Sequence, residues 1–409
     1  MEIENNRELD IINEEISSKK RKVKAVSTET FVFIAVLLIG FGFVGSKMGL
    51  GIMFKSIMNT AHDLLLNTVF LIMALAVLAG ALSALLSEFG VTSLLNKVFA
   101  MFMKPLYNMP GASIAGAVTT YLSDNPAIIA FANDKSFTKY FKKYQIPALC
   151  NLGTSFGMGL IVTTFMMTQG AEYVGPAIIG NVAAIIGSII SVRIMLIFTK
   201  KYYNYDPKSE VKTSGKVEAM EYREIREGSL FQRILDSMLE GGKNGVDLGM
   251  AIIPGVLVVC TLVMLLTFGP SVDPKTGAEV YTGAAYEGIG LLPALGDKLM
   301  FILGPLFGFT DPQAMAFPIT SLGAVGAAMS LVPRFITEGV ITPNDIAVFT
   351  AMGMCWSGYL STHVGMMDAL NARELTSKAI ISHTIGGLFA GISAHFIYCL
   401  LYTSPSPRD

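Results

Sequence analysis

Long apolar runs broken by short polar ones set the pattern of the chain from residue 31 onward. A run over 31–50 predicts a first membrane span, since about 20 apolar residues cross a bilayer core, and it carries Gly40, Gly42, Gly45 and Gly49. A second predicted span, 62–87, opens at His62-Asp63 and closes at Ser87-Glu88. Val91–Asn108 sets Lys97 and Lys104 among Leu94, Leu95, Val98, Phe99 and Leu106, the mark of a helix lying along the interface. Spans are expected at 145–169 and 172–198, then a polar stretch, an amphipathic segment at 229–246 and a span at 247–268. The second half closes with amphipathic 288–309, a broken apolar segment at 310–332, and spans at 344–367 and 379–401.

One stretch does not fit a simple crossing. Thr119-Thr120-Tyr121-Leu122-Ser123-Asp124-Asn125-Pro126 lies between Ile114–Val118 and Ala127–Phe131. An acid at the centre of a membrane helix costs at least about 2.5 kcal/mol, and proline leaves a carbonyl unpaired. A chain that keeps both there lines a polar cavity with unwound backbone. Lys135, Lys139, Lys142 and Lys143 follow directly. Basic loops belong on the cytosolic side, and Lys97 and Lys104 already claim that side. A full crossing would separate the two groups, whereas a re-entrant hairpin that enters and leaves from the cytosol keeps them together.

Composition fixes the class. Of 409 residues, 52% are hydrophobic and 15% charged, with a mean hydropathy of +0.55, where soluble domains carry about 25% charged residues. The chain is therefore an integral membrane protein with the lipid bilayer as its first partner. Net charge is −1, which argues against nucleic acid. Cys150, Cys260, Cys355 and Cys399 fall in predicted spans at unrelated spacings and read as packing residues. No cofactor or metal site is expected, and no Ser-His-Asp, His-Glu-x-x-His or phosphate-loop pattern marks an enzyme. Lys19–Lys24 is the positive flank of the first span, so the N-terminus is expected in the cytosol of a bacterial inner membrane, without a cleavable signal peptide. Thr403–Asp409 reads as a non-native tail resembling adapter read-through.

A shift of 200 residues lays the second half on the first, pairing Pro105-Leu106 with Pro305-Leu306 and Thr120 with Thr320. Thr154–Gly159 matches Thr350–Cys355 if four residues are deleted. The expected fold is an all-α polytopic membrane protein of two inverted-topology repeats, each with a re-entrant helical hairpin, plus one extra N-terminal transmembrane helix. Its expected parts are a cytosolic tail (1–28), the first helix (29–52), gate repeat 1 (55–200), a cytosolic linker (201–228), gate repeat 2 (229–402) and the tail 403–409.

Pro105-Leu106, Thr119–Ile128 and Asn151–Gly159 in their apolar setting resemble the Gate-domain (nucleoside-recognition) membrane proteins, specifically the YjiH-like group of transporters, over roughly residues 55–400. Related gate domains occur in concentrative nucleoside transporters, the membrane domain of ferrous iron transporter B, and spore maturation proteins. The resemblance implies cavity-lining hairpins and passage of a solute or ion. Nucleosides are not implied, because the Gln-Thr/Ser-Glu-Ala-Pro type of hairpin motif is missing.

Asp124 is the leading candidate residue, able to coordinate a cation or exchange a proton, or simply to cap a half-helix. Thr120, Ser123 and Asn125 offer neutral ligands, and Pro126 frees a carbonyl. Asn151, Thr154 and Ser155 share a helix face, as do Ser357 and His363; each set either lines the cavity or joins helices. Thr320 and Ser321 stand on the second hairpin, where Ala324 takes the place of Asp124. The expected function is transport of a small polar or anionic solute, nucleoside-like molecules included, with H+ or Na+ as candidate coupling ion and a homo-oligomer as a candidate state. The alternative is a non-transporting membrane subunit of a larger assembly, as in spore-maturation proteins.

Overall fold

A computed structural model describes residues 24–125, 127–129, 135–205, 225–273 and 275–402. The tail 403–409 and most of the linker lie outside the described residues. The chain divides into two compact units, Met1–Met53 and Phe54–Asp409. In the first, helix α1 (Thr28–Met48) starts at Ser27, whose backbone N–H donates to Thr30 Oγ1 at 3.1 Å. Its 21 residues extend about 31 Å at 1.5 Å each, and its large apolar side chains from Phe31 to Phe43 are exposed, as lipid contact requires, while Val44 and Met48 near its end are buried. Glycines at 40, 42 and 45 do not interrupt it.

Among its described residues the second unit is almost wholly helical, with two short strands, Ser271–Val272 and Glu279–Val280, joined antiparallel. Six helices among the described residues are long and apolar enough to cross a membrane. The chain is a multi-pass membrane protein. Two of the six are longer than their apolar runs suggest. Helix α2 spans Leu50–Glu88, and the apolar run 247–268 is only the latter part of a helix over Leu230–Thr267. Each contains a wide turn, Leu64–Val69 and Gly255–Cys260, the second directly after Pro254. Polar residues such as Lys55, Ser56 and Asn59 put the expected start of the second span at 62. They prolong the helix instead, with their side chains bonded to the carbonyls of the loop 269–290.

These two long helices pack side by side on glycine. A Cβ at Gly80 would strike the Gly241 carbonyl, and one at Gly245 would strike the backbone of Ala76 and Val77. Small residues let main chains approach where no water drives helices together. A matching pair follows: Ala171–Tyr202 and Arg373–Tyr402 meet at Gly187, Gly386 and Ser191. Glu88, 3% exposed, ends α2 by accepting from Arg226 Nη1 and Arg233 Nε, both at 2.7 Å.

Helix α3 covers Val91–Tyr107, with a wide turn at Met103–Tyr107. Helix α4 (Ser113–Leu122) has ten residues, about 15 Å, half of a bilayer core of about 30 Å. The span expected at 145–169 is interrupted: Ala148–Thr154 and Gly159–Thr168 are separated by a break whose Met158 has φ +54°. In the second half, Leu291–Asp297 and Met300–Phe307 precede the short Ala316–Gly323 and Val325–Met329. The span expected at 344–367 is likewise two helices, Pro343–Trp356 and Tyr359–Ala369, parted at Gly358 with φ +71°. Left-handed residues thus recur 200 positions apart, at Gly90 and Gly290, Asn108 and Gly308, and Met158 and Gly358. The offset holds through the breaks, so the four-residue deletion inferred from Thr154–Gly159 is unnecessary.

The loop 269–290 is wound around Glu287, 3% exposed. Burial alone would raise its carboxyl, but bonds from Ser271 Oγ (2.7 Å), Thr282 Oγ1 (2.7 Å) and the N–H groups of Thr282 and Gly283 hold it below the usual carboxylate range.

Candidate functional site

The broken helix Pro343–Trp356/Tyr359–Ala369 receives the tips of both short-helix segments. After Leu122 the backbone leaves the helix at Ser123 (φ −138°, ψ −114°). Asn125 then turns fully inward. Its Nδ2 donates to the Ser357 carbonyl at 2.6 Å, and Ser357 Oγ donates to Asn125 Oδ1 at 3.2 Å. That carbonyl is free because Ser357 lies in the gap between the two half-helices. Gly157, in the other break, completes the seat: a Cβ there would fall on Asn125 Oδ1. From the opposite side, the Gly358 N–H donates to the Ser321 carbonyl at 2.9 Å. Ala324 is extended (φ −162°, ψ 114°) and separates the two arms of the second segment.

Asp124 stands beside this junction, half-buried. Its Oδ1 accepts from the Asn125 N–H at 2.7 Å, and its carbonyl accepts from the Ala127 N–H at 3.0 Å. Among the described residues its side chain bonds only that next backbone N–H, and it lines a cavity. The cavity, of about 180 Å³, also holds Ser123, and its other wall carries Ser83 and Asn244 beside the glycine seam of the long helices. Among the described residues no lysine or arginine is paired with Asp124. A carboxylate without a cation, facing carboxamide and hydroxyl groups, is suited to taking up a cation, a proton or a hydrogen-bonding solute.

The remaining sequence candidates fall elsewhere. Thr120 Oγ1 donates to the carbonyls of Gly116 (3.1 Å) and Ala117 (3.0 Å), Thr320 Oγ1 to Ala316 (2.7 Å) and Ser321 Oγ to Pro318 (2.8 Å). Their hydroxyls serve their own helices. Asn151 joins three helices through Ser191 Oγ (3.0 Å) and Ser382 Oγ (2.9 Å), while Thr154 and Ser155 donate to the carbonyls of Cys150 and Asn151. His363 is fully buried 4.7 Å from the ring of His383, which is itself held by Ser191 Oγ and the Cys355 carbonyl. Pro126 lies outside the described residues. The structure thus gathers Ser123, Asp124, Asn125 and Ser357, and sets Asn151, Thr154, Ser155 and His363 into helix packing. No group of three metal-ligating side chains occurs among the described residues.

Sequence reasoning passed over Gly157, Gly358, Ser83 and Asn244. The glycines left a trace, since Phe156-Gly157-Met158-Gly159 and Trp356-Ser357-Gly358 are poor helix interiors. Asn244, in Gly241-Gly242-Lys243-Asn244-Gly245, reads as an ordinary polar residue on an amphipathic helix. At the base of the first segment, Lys142 Nζ donates to Tyr205 Oη at 3.2 Å and Lys143 Nζ lies 5.2 Å from the Tyr203 ring centre. The basic loop after the tip and the end of Ala171–Tyr202 are therefore at one end of the unit.

No family model matches the chain, and no curated protein matches it. Solved structures do. CNTnw, a concentrative nucleoside transporter, in an inward-facing substrate-bound state is similar over 81% of this chain and 75% of that one, with a TM-score of 0.51 and 15% identity. The two chains share a fold. A doubly substituted CNTnw in an outward-facing state is matched over 93% of this chain and 94% of that one, with a TM-score of 0.49 and 14% identity.

Proposed function

We propose that the chain is a secondary transporter of the gate-domain, YjiH-like type, moving a small polar or anionic solute across a bacterial inner membrane by alternating access. The observation that carries this reading is the seat of Asn125 in the Ser357–Gly358 break, which sets Asp124 on a polar cavity between two glycine-packed helices. Unwound backbone of this kind is found at membrane depth where it is covered by protein or lines a water-filled cavity. The 200-residue recurrence of left-handed residues supports two repeats, here taken as inverted in topology, with each short-helix segment re-entrant. Gln145 Nε2, donating to the Asn108 carbonyl at 2.9 Å, supports a first segment that returns to the side it came from, here taken with the N-terminus cytosolic. Asp124 binds the solute or its coupling ion, H+ or Na+. Nucleosides enter the substrate panel because the fold is shared with CNTnw.

Flux into liposomes holding the purified chain tests this, with nucleosides, carboxylates and amino acids as solutes and proton and sodium gradients applied in turn. Gradient-dependent uptake that disappears in Asp124→Asn, at unchanged reconstitution, is the expected result. Uptake that survives in Asp124→Asn and Asp124→Ala removes Asp124 from the mechanism. Silence across the panel with co-purifying subunits favours the non-transporting assembly role instead.

A further inference from the structure

A second polar cavity, of about 650 Å³, lies against the middle of α2, at its wide turn. That volume is within the range of about 300–1,000 Å³ typical of small-molecule sites. One wall is the segment after the second tip, Val332–Thr337 with Glu338, and the other is α2 at Asp63 and Asn67. Tyr286 from the loop 269–290 joins the two. Its hydroxyl donates to Asp63 Oδ2, and its ring lies 4.9 Å from the Arg334 guanidinium carbon. The Phe268 ring lies 4.9 Å from the same carbon. Tyr286 is held at φ +71°, a backbone conformation rare for a bulky side chain and concentrated where structure serves a site. The Tyr286 N–H donates to Thr60 Oγ1 at 2.7 Å, which fixes that conformation from α2.

The charges are arranged as a pair of receptors. Arg334 Nη2 meets Glu338 Oε1 at 2.5 Å, yet its buried Nε has no partner. Both side chains of this ion pair are about one-third exposed, so it is weak and exchangeable. Glu338 is therefore a carboxylate that a solute carboxylate can replace. Asp63 is not exchangeable in this way. Asn67 Nδ2 holds Oδ1 at 2.7 Å and Tyr286 holds Oδ2, while the lone pairs that remain on a carboxylate can accept an ammonium group.

We propose that this cavity binds small zwitterions of the α-amino-acid class, with the solute carboxylate displacing Glu338 on Arg334 and the ammonium group facing Asp63. The site stands apart from the Asp124 junction, and the proposal does not require the transport reading. Isothermal titration calorimetry on the full chain in detergent tests it, with L-alanine as the zwitterion, acetate and methylamine as its halves, and uridine as a neutral polar solute.

L-alanine binding without comparable binding of acetate, methylamine or uridine is the expected result. Arg334→Gln lowers L-alanine affinity by about tenfold or more, the order of one charge-assisted hydrogen bond. Glu338→Gln, which keeps the fold around Arg334, raises affinity severalfold by removing the competitor. Asp124→Asn leaves this binding unchanged whatever it does to flux, so failure here and failure of the transport reading are separable. Equal binding of acetate and L-alanine, a fall in affinity in Glu338→Gln, or no heat with L-alanine overturns the proposal.

Discussion

The two short-helix segments reach the same gap in the chain by different chemistry. The first arrives with a side chain: Asn125 trades hydrogen bonds with both the carbonyl and the hydroxyl of Ser357. The second arrives with its main chain, the Ser321 carbonyl accepting from the Gly358 N–H, while the Ser321 hydroxyl turns back to Pro318. The charges are distributed oppositely as well. Asp124 sits at the tip of the first, whereas the second has Ala324 there and is followed by Arg334 within Val332–Thr337 and Glu338 at that helix's end. A tip that docks by side chain is tied to one residue type. A tip that docks by backbone needs only the right fold, which leaves its side chains free to vary.

The largest effect expected from this contrast is at Gly157. Gly157→Ala puts a methyl group where Asn125 Oδ1 now lies, so the carboxamide leaves its seat and Ser357 loses both partners. Overpacking in a core costs about 1–3 kcal/mol, and the displaced hydrogen bonds add to it. Transport should be abolished and the unfolding midpoint in detergent lowered; activity near the parent level would mean that Asn125 does not need the seat. Asn125→Ala comes next. It leaves the buried Ser357 carbonyl unpaired at a cost of about 1–3 kcal/mol but creates no overlap, so flux should fall more than stability.

Loss of Glu287 acts on the other side of the comparison, since its loop holds Tyr286 against Arg334. A carboxyl held below its unfolded value adds stability at pH above that value, about 4.3, and the contribution is lost as pH falls through the folded value. The parent protein should therefore become less heat-stable below about pH 4. Glu287→Gln should be less stable by about 1–3 kcal/mol at neutral pH, with a flatter acid limb. An acid limb identical in both proteins would place the titrating group elsewhere.

How much of this the sequence discloses follows from the same contrast. Asp124 and Asn125 stand out because charge and carboxamide are costly in an apolar run, so residue types alone locate the first tip. Ser321 and Thr320 draw attention for their hydroxyls, yet those hydroxyls serve their own helix and the contact that matters belongs to a main-chain carbonyl. Backbone contacts leave no residue signature. The long helices show the same limit. Apolar content locates their membrane-crossing parts, but the polar turn at Lys55–Asn59 is helical only because a loop more than 200 residues away supplies its partners. On residue type Asn151 and His363 read equally as cavity residues or as helix joiners; which helix they face depends on packing that periodicity does not specify.

Ser321→Ala is accordingly the smallest expected effect and the sharpest check on backbone docking. The hydroxyl lost is bonded to the Pro318 carbonyl, one turn back on its own helix. Serine-to-carbonyl bonds of that kind compete with the helix ladder rather than reinforce it, and alanine is the better helix former. The methyl group fits the space already filled by the serine Cβ. Stability should change by no more than about 0.5 kcal/mol, and flux should match the parent while Asn125→Ala in the same liposomes has lost it. If Ser321→Ala behaves like Asn125→Ala instead, the second tip uses its side chain in another state of the cycle, and the two tips are chemically alike after all.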